Sequence, residues 1–393
     1  MRVLLVNSVY GRGSTGRICA DLAAALTQSG HECLAAYGRS PAEPAAEEIL
    51  VRIGTNRDVA LHGLYTRLTD RHGFSSAVAT ERWLEKVQAF APDVIHLQNL
   101  HGYYMYLPAL FSFLRDYGAP VIWTLHDCWA FTGHCAHFLP FQCEKWKTGC
   151  ESCPARASYP ASLRDASRRN YLQKKALICA LNNLTVVTPS NWLAEVAGES
   201  FLRSFPIVTI PNGINTEVFR PRGSSARTRL HLEHGRMLLA VSGVWNREKG
   251  FEDLLLLSQK LEKDDTLVVV GVTERQKKRL PANVIGLTHT EHAEELAELY
   301  SAADVFLNLT YADTYPTVNL EAAACAVPVI SYRSGGSAEC ASLTVEPGDL
   351  DGIVRALSAL DTLSPPNIPL DRGDMIRQYL RLYETAAARG GKA

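Results

Sequence analysis

The chain has 393 residues, too many for one core of ordinary size, so two domains are expected. Its hydrophobic content of 47%, charged content of 21% and net charge of -1 suit a soluble globular protein and exclude a global attraction to nucleic acid or membrane. The opening MRVLLVNSVYGRG sets one basic residue before a short apolar run, as in a first buried strand rather than a signal peptide, and no later run approaches the roughly 18 apolar residues of a membrane span. A cytosolic location is expected, and there ten cysteines are expected as thiols or metal ligands rather than disulfides.

Short apolar runs recur through the first half at Val3 to Val6, Cys33 to Ala36, Val94 to Leu97, Val121 to Leu125 and Leu184 to Val187, with helix-like segments between them. Continuous β-branched runs of this kind predict a parallel sheet covered on both faces, with ligands beyond the carboxyl ends of its strands. After the first run comes Gly11-Arg12-Gly13-Ser14-Thr15-Gly16, then a helix predicted from about Arg17 to Ser29 and ended by Gly30. The literal GxGxxG match invites a nicotinamide-cofactor reading. Against it, Ser8, Val9 and Tyr10 separate the strand from the first glycine, and the second strand ends at Tyr37-Gly38-Arg39 without the acid that holds a ribose.

In Asp93-Val94-Ile95-His96-Leu97-Gln98-Asn99-Leu100-His101 a strand runs into a polar tip. His96 alternates with apolar residues, as a satisfied core histidine does, which leaves Asn99 and His101 as the candidates for ligand contact. The next strand closes on Thr124-Leu125-His126-Asp127, an imidazole and a carboxylate side by side. Beyond it Cys135, Cys143, Cys150 and Cys153 crowd together, the last two as C-x2-C, with His134 and His137 beside the first. Three readings stand: a structural zinc ion pinning a long loop of little apolar content, free thiols, or a labile disulfide. A catalytic metal is not expected, because four protein ligands leave no open position. The following stretch is basic, with Arg164, Arg168 and Lys175 on neighbouring turns of a helix predicted from about Pro160. It is either a solvated face or a patch that meets an anionic lipid surface or a lipid-diphosphate.

The second half repeats the alternation. Pro206 to Ile210 is a strand ended by Pro211-Asn212-Gly213, Arg222 to Gly235 reads as a surface linker, and Met237 to Val241, Leu267 to Gly271 and Val284 to Thr288 are buried strands. After the first of these comes Trp245-Asn246-Arg247-Glu248-Lys249-Gly250 and a helix. The most informative stretch is SAADVFLNLTYADTYPTVNLEAAACAVPVISYRSGG, residues 301–336: a strand, a polar loop, a helix opening near Thr317, and a second strand. The unpaired amides of that helix's first turn suit a diphosphate, with Asp313 before the helix and Glu321 about one turn inside it. The same stretch also reads as an ordinary strand-loop-helix in which Asp313 is a loop residue and Glu321 a solvated one.

Two acids eight positions apart, before a small-residue helix and a Pro-Val strand, resemble the donor-site signature of retaining GT-B glycosyltransferases of the family-4 type. This chain departs by carrying Asp313 where that family usually has Glu, Ala326 where it has Gly, and Val244 in place of an Arg. The resemblance covers nearly the whole chain in six places in the same order. It implies an α/β, GT-B architecture: two facing doubly wound Rossmann-like domains, residues 1–205 for the acceptor and 206–369 for the donor, with a C-terminal helix in 370–393 crossing back to the first domain. It implies a nucleotide-diphosphate sugar donor, and a glycan or lipid-linked acceptor in surface-polysaccharide assembly, with no catalytic metal.

The roles it implies are these. Lys249 and Arg247 neutralise the donor diphosphate, Asp313 meets sugar hydroxyls, and His126 positions a donor-sugar hydroxyl while Asp127 orients the ring. Tyr315, Thr317, Val318, Glu321 and the backbone near Leu287 hold the nucleotide, Gly13 and Gly16 approach the diphosphate, and Asn99 and His101 contact the acceptor. Two other classes share the scaffold. A nucleotide-sugar epimerase would turn over donor without acceptor, and a non-catalytic sugar-nucleotide-binding subunit would bind donor without transfer.

Overall fold

The computed structural model describes residues 1–39, 49–232 and 234–390. The chain divides into two compact units, Met1–Ile210 with Met375–Ala393, and Pro211–Asp374. Residues 391–393 of the expected C-terminal helix segment, and residue 233 of the expected linker, lie outside the described residues.

In the first unit the order is β1 (Arg2–Asn7), α1 (Gly13–Gln28), β2 (Glu32–Tyr37), β3 (Leu50–Arg52), α2 (Asn56–Thr69), α3 (Ala77–Phe90), β4 (Val94–Leu97), α4 (Leu107–Tyr117), β5 (Val121–Thr124), α5 (Ser167–Ile178), β6 (Leu184–Thr188), α6 (Asn191–Glu199) and β7 (Ile207–Thr209). Among the described residues its strands form one parallel sheet ordered β3-β2-β1-β4-β5-β6-β7. Period-two alternation sorts β1 between the two faces. Leu4 and Val6 enter one apolar cluster with Ile95, Leu97 and Trp123, while Val3 and Leu5 enter another with Val94, Ile122 and Val187. Each such side chain, fully buried, contributes about 1.5–3 kcal/mol.

The second unit runs α7 (Ala226–Arg229), β8 (Met237–Val241), α8 (Phe251–Ser258), β9 (Thr266–Val270), α9 (Glu274–Lys277), β10 (Val284–Leu287), α10 (Ala293–Ala302), β11 (Val305–Asn308), α11 (Thr317–Ala324), β12 (Val329–Tyr332), β13 (Leu343–Val345) and α12 (Leu350–Ser358). Its described strands form a parallel sheet ordered β10-β9-β8-β11-β12-β13. The last helix, α13 (Arg372–Gly390), sends Met375, Tyr379 and Tyr383 into the core of the first unit beside Val3 and Leu5.

Several expectations shift. Helix α1 begins at Gly13, four residues earlier than predicted, so Gly13 and Gly16 lie in its first turn and not in a loop ahead of it. Strand β7, expected to lead into the second domain, pairs with β6 in the first sheet. The basic helix begins at Ser167, which leaves Arg164 outside it; Lys174 is buried and Arg168 pairs with Glu151 at 2.9 Å. The expected linker contains α7, whose Arg227 bonds the Ala302 carbonyl at 2.9 Å and pairs with Asp304 at 2.5 Å. No helix among the described residues is long and apolar enough to cross a membrane.

Candidate active site

In each sheet the strand order reverses beside the first strand, between β1 and β4 and between β8 and β11, and ligands of doubly wound sheets bind at the carboxyl ends of such strands. In the second unit these ends carry the turn 242–250 and the loop 309–316. The two are sewn together through the backbone, the Tyr311 N–H donating to the Glu248 carbonyl at 2.8 Å. Gly250 has φ +71, and a Cβ there would stand 2.1 Å from the Leu309 carbonyl oxygen, so only glycine allows this approach. The result places Lys249 Nζ 2.8 Å from Asp313 Oδ2, in a pair of partly exposed side chains.

Helix α11 begins immediately after, with Pro316 as its N-cap and Thr317 and Val318 in its open first turn. Glu321 is 6% exposed rather than solvated, and Tyr300 donates its hydroxyl to Glu321 Oε2 at 3.0 Å. Burial, followed by the Glu321 charge and this bond, pushes the Tyr300 phenol well above its usual range. Tyr315 is turned into the apolar core, and its carbonyl accepts from the Asn212 side chain at 3.1 Å. The Leu287 carbonyl accepts the N–H groups of Gly271 and Val272, at 2.8 and 3.2 Å. Arg247 is exposed, near Tyr311 rather than in the Lys249–Asp313 pair. A cavity of about 370 Å³ lies beside these turns, lined by Gly243, Val244, Trp245, Gly271, Arg275 and Arg279 among others. The two arginines were not singled out in the sequence, because Arg275, in α9, and Arg279, just after it, belong to a short basic and polar stretch that looks like ordinary surface.

The first unit gathers Asn99, His101, His126 and Asp127 around one small hollow with Gln98 and Trp129. The hydrogen bonds of Asp127 run elsewhere than its sequence neighbour: its Oδ2 accepts from His101 Nε2 at 2.6 Å and its Oδ1 accepts the Trp129 N–H at 2.8 Å, while its charge still acts on His126. His101 Nδ1 is 3.0 Å from the Tyr159 hydroxyl, so that Asp127, His101 and Tyr159 form one hydrogen-bonded chain. Burial alone would raise the Asp127 carboxyl, but the His101 charge and hydrogen bond, His137 and the Trp129 N–H outweigh it and hold the group down at about 2. His126 Nε2 lies 3.1 Å from Gln98 Oε1, and burial pulls this imidazole down to about 4, so it is neutral near pH 7. His96 is a core residue, 2.7 Å from the Tyr383 hydroxyl and 2.8 Å from Thr124 Oγ1.

Sequence reasoning missed Asn7, whose Nδ2 donates to the Val9 and Thr15 carbonyls at 3.0 and 3.1 Å while its Oδ1 accepts from Ser8 and Asn99 at 2.9 and 3.2 Å. One carboxamide thus joins the glycine turn to the tip of β4. It also missed His72, 3% exposed, whose Nε2 accepts the N–H of Gly102 at 3.0 Å and of Tyr103 at 3.3 Å beneath the ring of Tyr103. Cys135, Cys143, Cys150 and Cys153 are all free thiols and line one cavity. As the side chains stand, no group of three or more His, Cys, Asp or Glu among the described residues is arranged to hold a metal ion.

Residues 15–218 match the family model described as Glycosyltransferase Family 4, and residues 235–362 match that described as Glycosyl transferases group 1. A putative colanic acid biosynthesis glycosyl transferase, WcaC, of Escherichia coli (strain K12) is 24% identical over 353 residues, 86% of this chain and 85% of its own. A D-inositol 3-phosphate glycosyltransferase of Nocardiopsis dassonvillei is 30% identical over 154 residues, 34% of this chain and 36% of its own. Among solved structures, a sucrose-phosphate synthase from Thermosynechococcus elongatus superposes with a TM-score of 0.64 at 17% identity, over 100% of this chain and 97% of that one. Anabaena Alr3699/HepE in complex with UDP and glucose does so at 0.63 and 14%, over 100% and 95%. With two parallel Rossmann-like sheets of this order and a family model covering more than half its length, the chain is a GT-B protein and belongs to glycosyltransferase family 4.

Proposed function

We propose that this glycosyltransferase moves a sugar from a nucleotide-diphosphate donor, with retention at the anomeric carbon, to a hydroxyl of a glycan or lipid-linked acceptor in surface-polysaccharide assembly. The observation that carries the donor half is the Lys249–Asp313 pair, at 2.8 Å, beside the open first turn of α11. An ammonium has three donors, so Lys249 holds Asp313 and a phosphate oxygen together, and its charge favours departure of the diphosphate. Asp313 repels phosphate and therefore faces sugar hydroxyls. Glu321, its rotamer set by Tyr300, accepts from ribose hydroxyls. That HepE was crystallised with UDP and glucose, and that WcaC is named for colanic acid synthesis, supports the donor class and the setting.

The first unit handles the acceptor. Asn99 and the Asp127–His101–Tyr159 chain receive and orient its hydroxyl, and His126, neutral, positions a sugar hydroxyl by hydrogen bonding. Retention places acceptor attack on the face from which the diphosphate leaves, with a phosphate oxygen taking the acceptor's proton. No protein nucleophile and no metal ion has a part in this scheme.

The test is a thermal-shift screen of UDP-, GDP- and ADP-sugars, followed by a transfer assay with the anomeric configuration read by NMR. A donor at 100 times its dissociation constant should stabilise the protein by about 2.7 kcal/mol, and Glu321→Ala should abolish that shift. Lys249→Ala should lower kcat/KM by about 10²–10³. A shift without turnover against any acceptor would establish the non-catalytic subunit instead, and no shift with any sugar nucleotide would end the proposal.

A further inference from the structure

The segment between β5 and α5 contains, as regular structure among its described residues, only the single turns Leu139–Phe141 and Lys145–Lys147. Yet it is anchored at both ends of the acceptor-side chain, with Asp127 near its start and Tyr159 towards its end. Cys135, Cys143, Cys150 and Cys153 face one cavity within it, together with Phe138 and Trp146. One of the sulfurs receives a backbone N–H group, as metal-bound thiolates do: Gly133 N donates to Cys150 Sγ at 3.1 Å. Gly133 is indispensable to this packing, because a Cβ there would meet the Ser167 carbonyl oxygen at 2.2 Å and Cys150 Cβ at 2.7 Å.

We propose that Cys135, Cys143, Cys150 and Cys153 are the ligands of a structural zinc ion that fixes this segment. Four soft thiolates suit tetrahedral zinc, and they leave no position for substrate. The sulfurs do not converge as they stand, so taking up the ion requires the side chains to rearrange, and it releases the four thiol protons to solvent. The inference is independent of the glycosyl-transfer reading. Its consequence is that the ion, lying between Asp127 and Tyr159 in the chain, holds the two ends of the acceptor-side relay in register.

The experiment uses the full chain purified without chelator. Elemental analysis should find about one zinc per chain, released by a mercurial thiol reagent. Exchange with cobalt(II) should give the intense visible bands and near-ultraviolet thiolate charge transfer of a tetrahedral all-thiolate site. Cys143→Ser should release most of the zinc, whereas Cys179→Ser, at an exposed thiol outside the cluster, should release none. If Cys143→Ser does not fold, the wild-type stoichiometry and cobalt spectrum decide. Zinc below about 0.2 equivalents, iron in its place, a cobalt spectrum without thiolate charge transfer, or a Cys135–Cys153 disulfide found by mass spectrometry would each overturn the assignment.

Discussion

The two units present their chemistry at the same topological place and build it in opposite ways. In the second unit, two short turns that follow β8 and β11 are bonded backbone to backbone, so Lys249 and Asp313 meet because their loops have little alternative. In the first unit the corresponding place is assembled from segments far apart in the chain. Asn7 and Asn99 are joined by one hydrogen bond, His101 meets Asp127, and Tyr159 comes from beyond the cysteine-rich segment. A site made of contiguous turns is committed to one geometry and one kind of ligand. One made of distant segments can be altered piecewise, one contributing segment at a time.

Acidification should separate the two units most strongly. In the first unit, burial holds the imidazoles of His62 and His126 down to about 4, that of His96 to about 3, and that of His72 well below its usual value. The unfolded chain takes up these protons below about 6.5, so it binds more of them than the folded chain and stability falls as pH drops from 6.5 towards 4. At pH 5 the loss should be on the order of 1–2 kcal/mol per histidine. His134, raised through its bond to Asp70, acts with the opposite sign and offsets part of the loss. Hydrogen exchange followed by mass spectrometry at pH 7 and pH 5 should show protection lost mainly in residues 1–210. Equal loss in both units would contradict this account.

A smaller effect should divide the two halves of the reaction. Asp127→Asn weakens the chain through His101 to Tyr159 and should lower acceptor transfer on the order of 10²-fold while leaving donor hydrolysis within about twofold. Lys249→Ala should depress both. If Asp127→Asn lowered hydrolysis as far as transfer, the division of labour would be wrong.

The smallest effect concerns Ala326, which follows α11 and has φ +61, a left-handed conformation that costs a non-glycine residue about 1–2 kcal/mol. Ala326→Gly relieves this strain but enlarges the freedom of the unfolded chain. The net gain in denaturant melts of the second unit should be below about 1 kcal/mol. This position also shows why the sequence departure at Ala326 is tolerated: the helix ends in the same way, at a modest cost.

How much was legible follows from the same contrast. The buried strands β1, β4, β5, β8, β9 and β11 are continuous apolar runs, which announce a covered parallel sheet, and the turn Arg247 to Gly250 and the loop Asp313 to Thr317 lie whole in the sequence. The three-residue strands β3 and β13 are too short to carry a pattern. Helix α1 was set four residues late because glycines read as loop, although Gly13 and Gly16 sit in its first turn. Asp127 was given to His126 because they are neighbours in sequence, whereas its carboxylate is bonded to His101, which the chain delivers from the tip of another strand. Lys174, in a basic stretch, looked like solvated surface until the fold placed it under Trp129.

The anchoring of α13 bears on how the protein is made. Tyr383 bonds His96 at 2.7 Å and Tyr379 bonds Thr124 at 2.9 Å, both inside the first unit. A ribosome delivers β1 to β7 first, yet the apolar layer they share with Tyr379 and Tyr383 stays open until the whole second unit has emerged. The half synthesised first is thus the last to close, and during translation its unfinished face is the surface that needs protection.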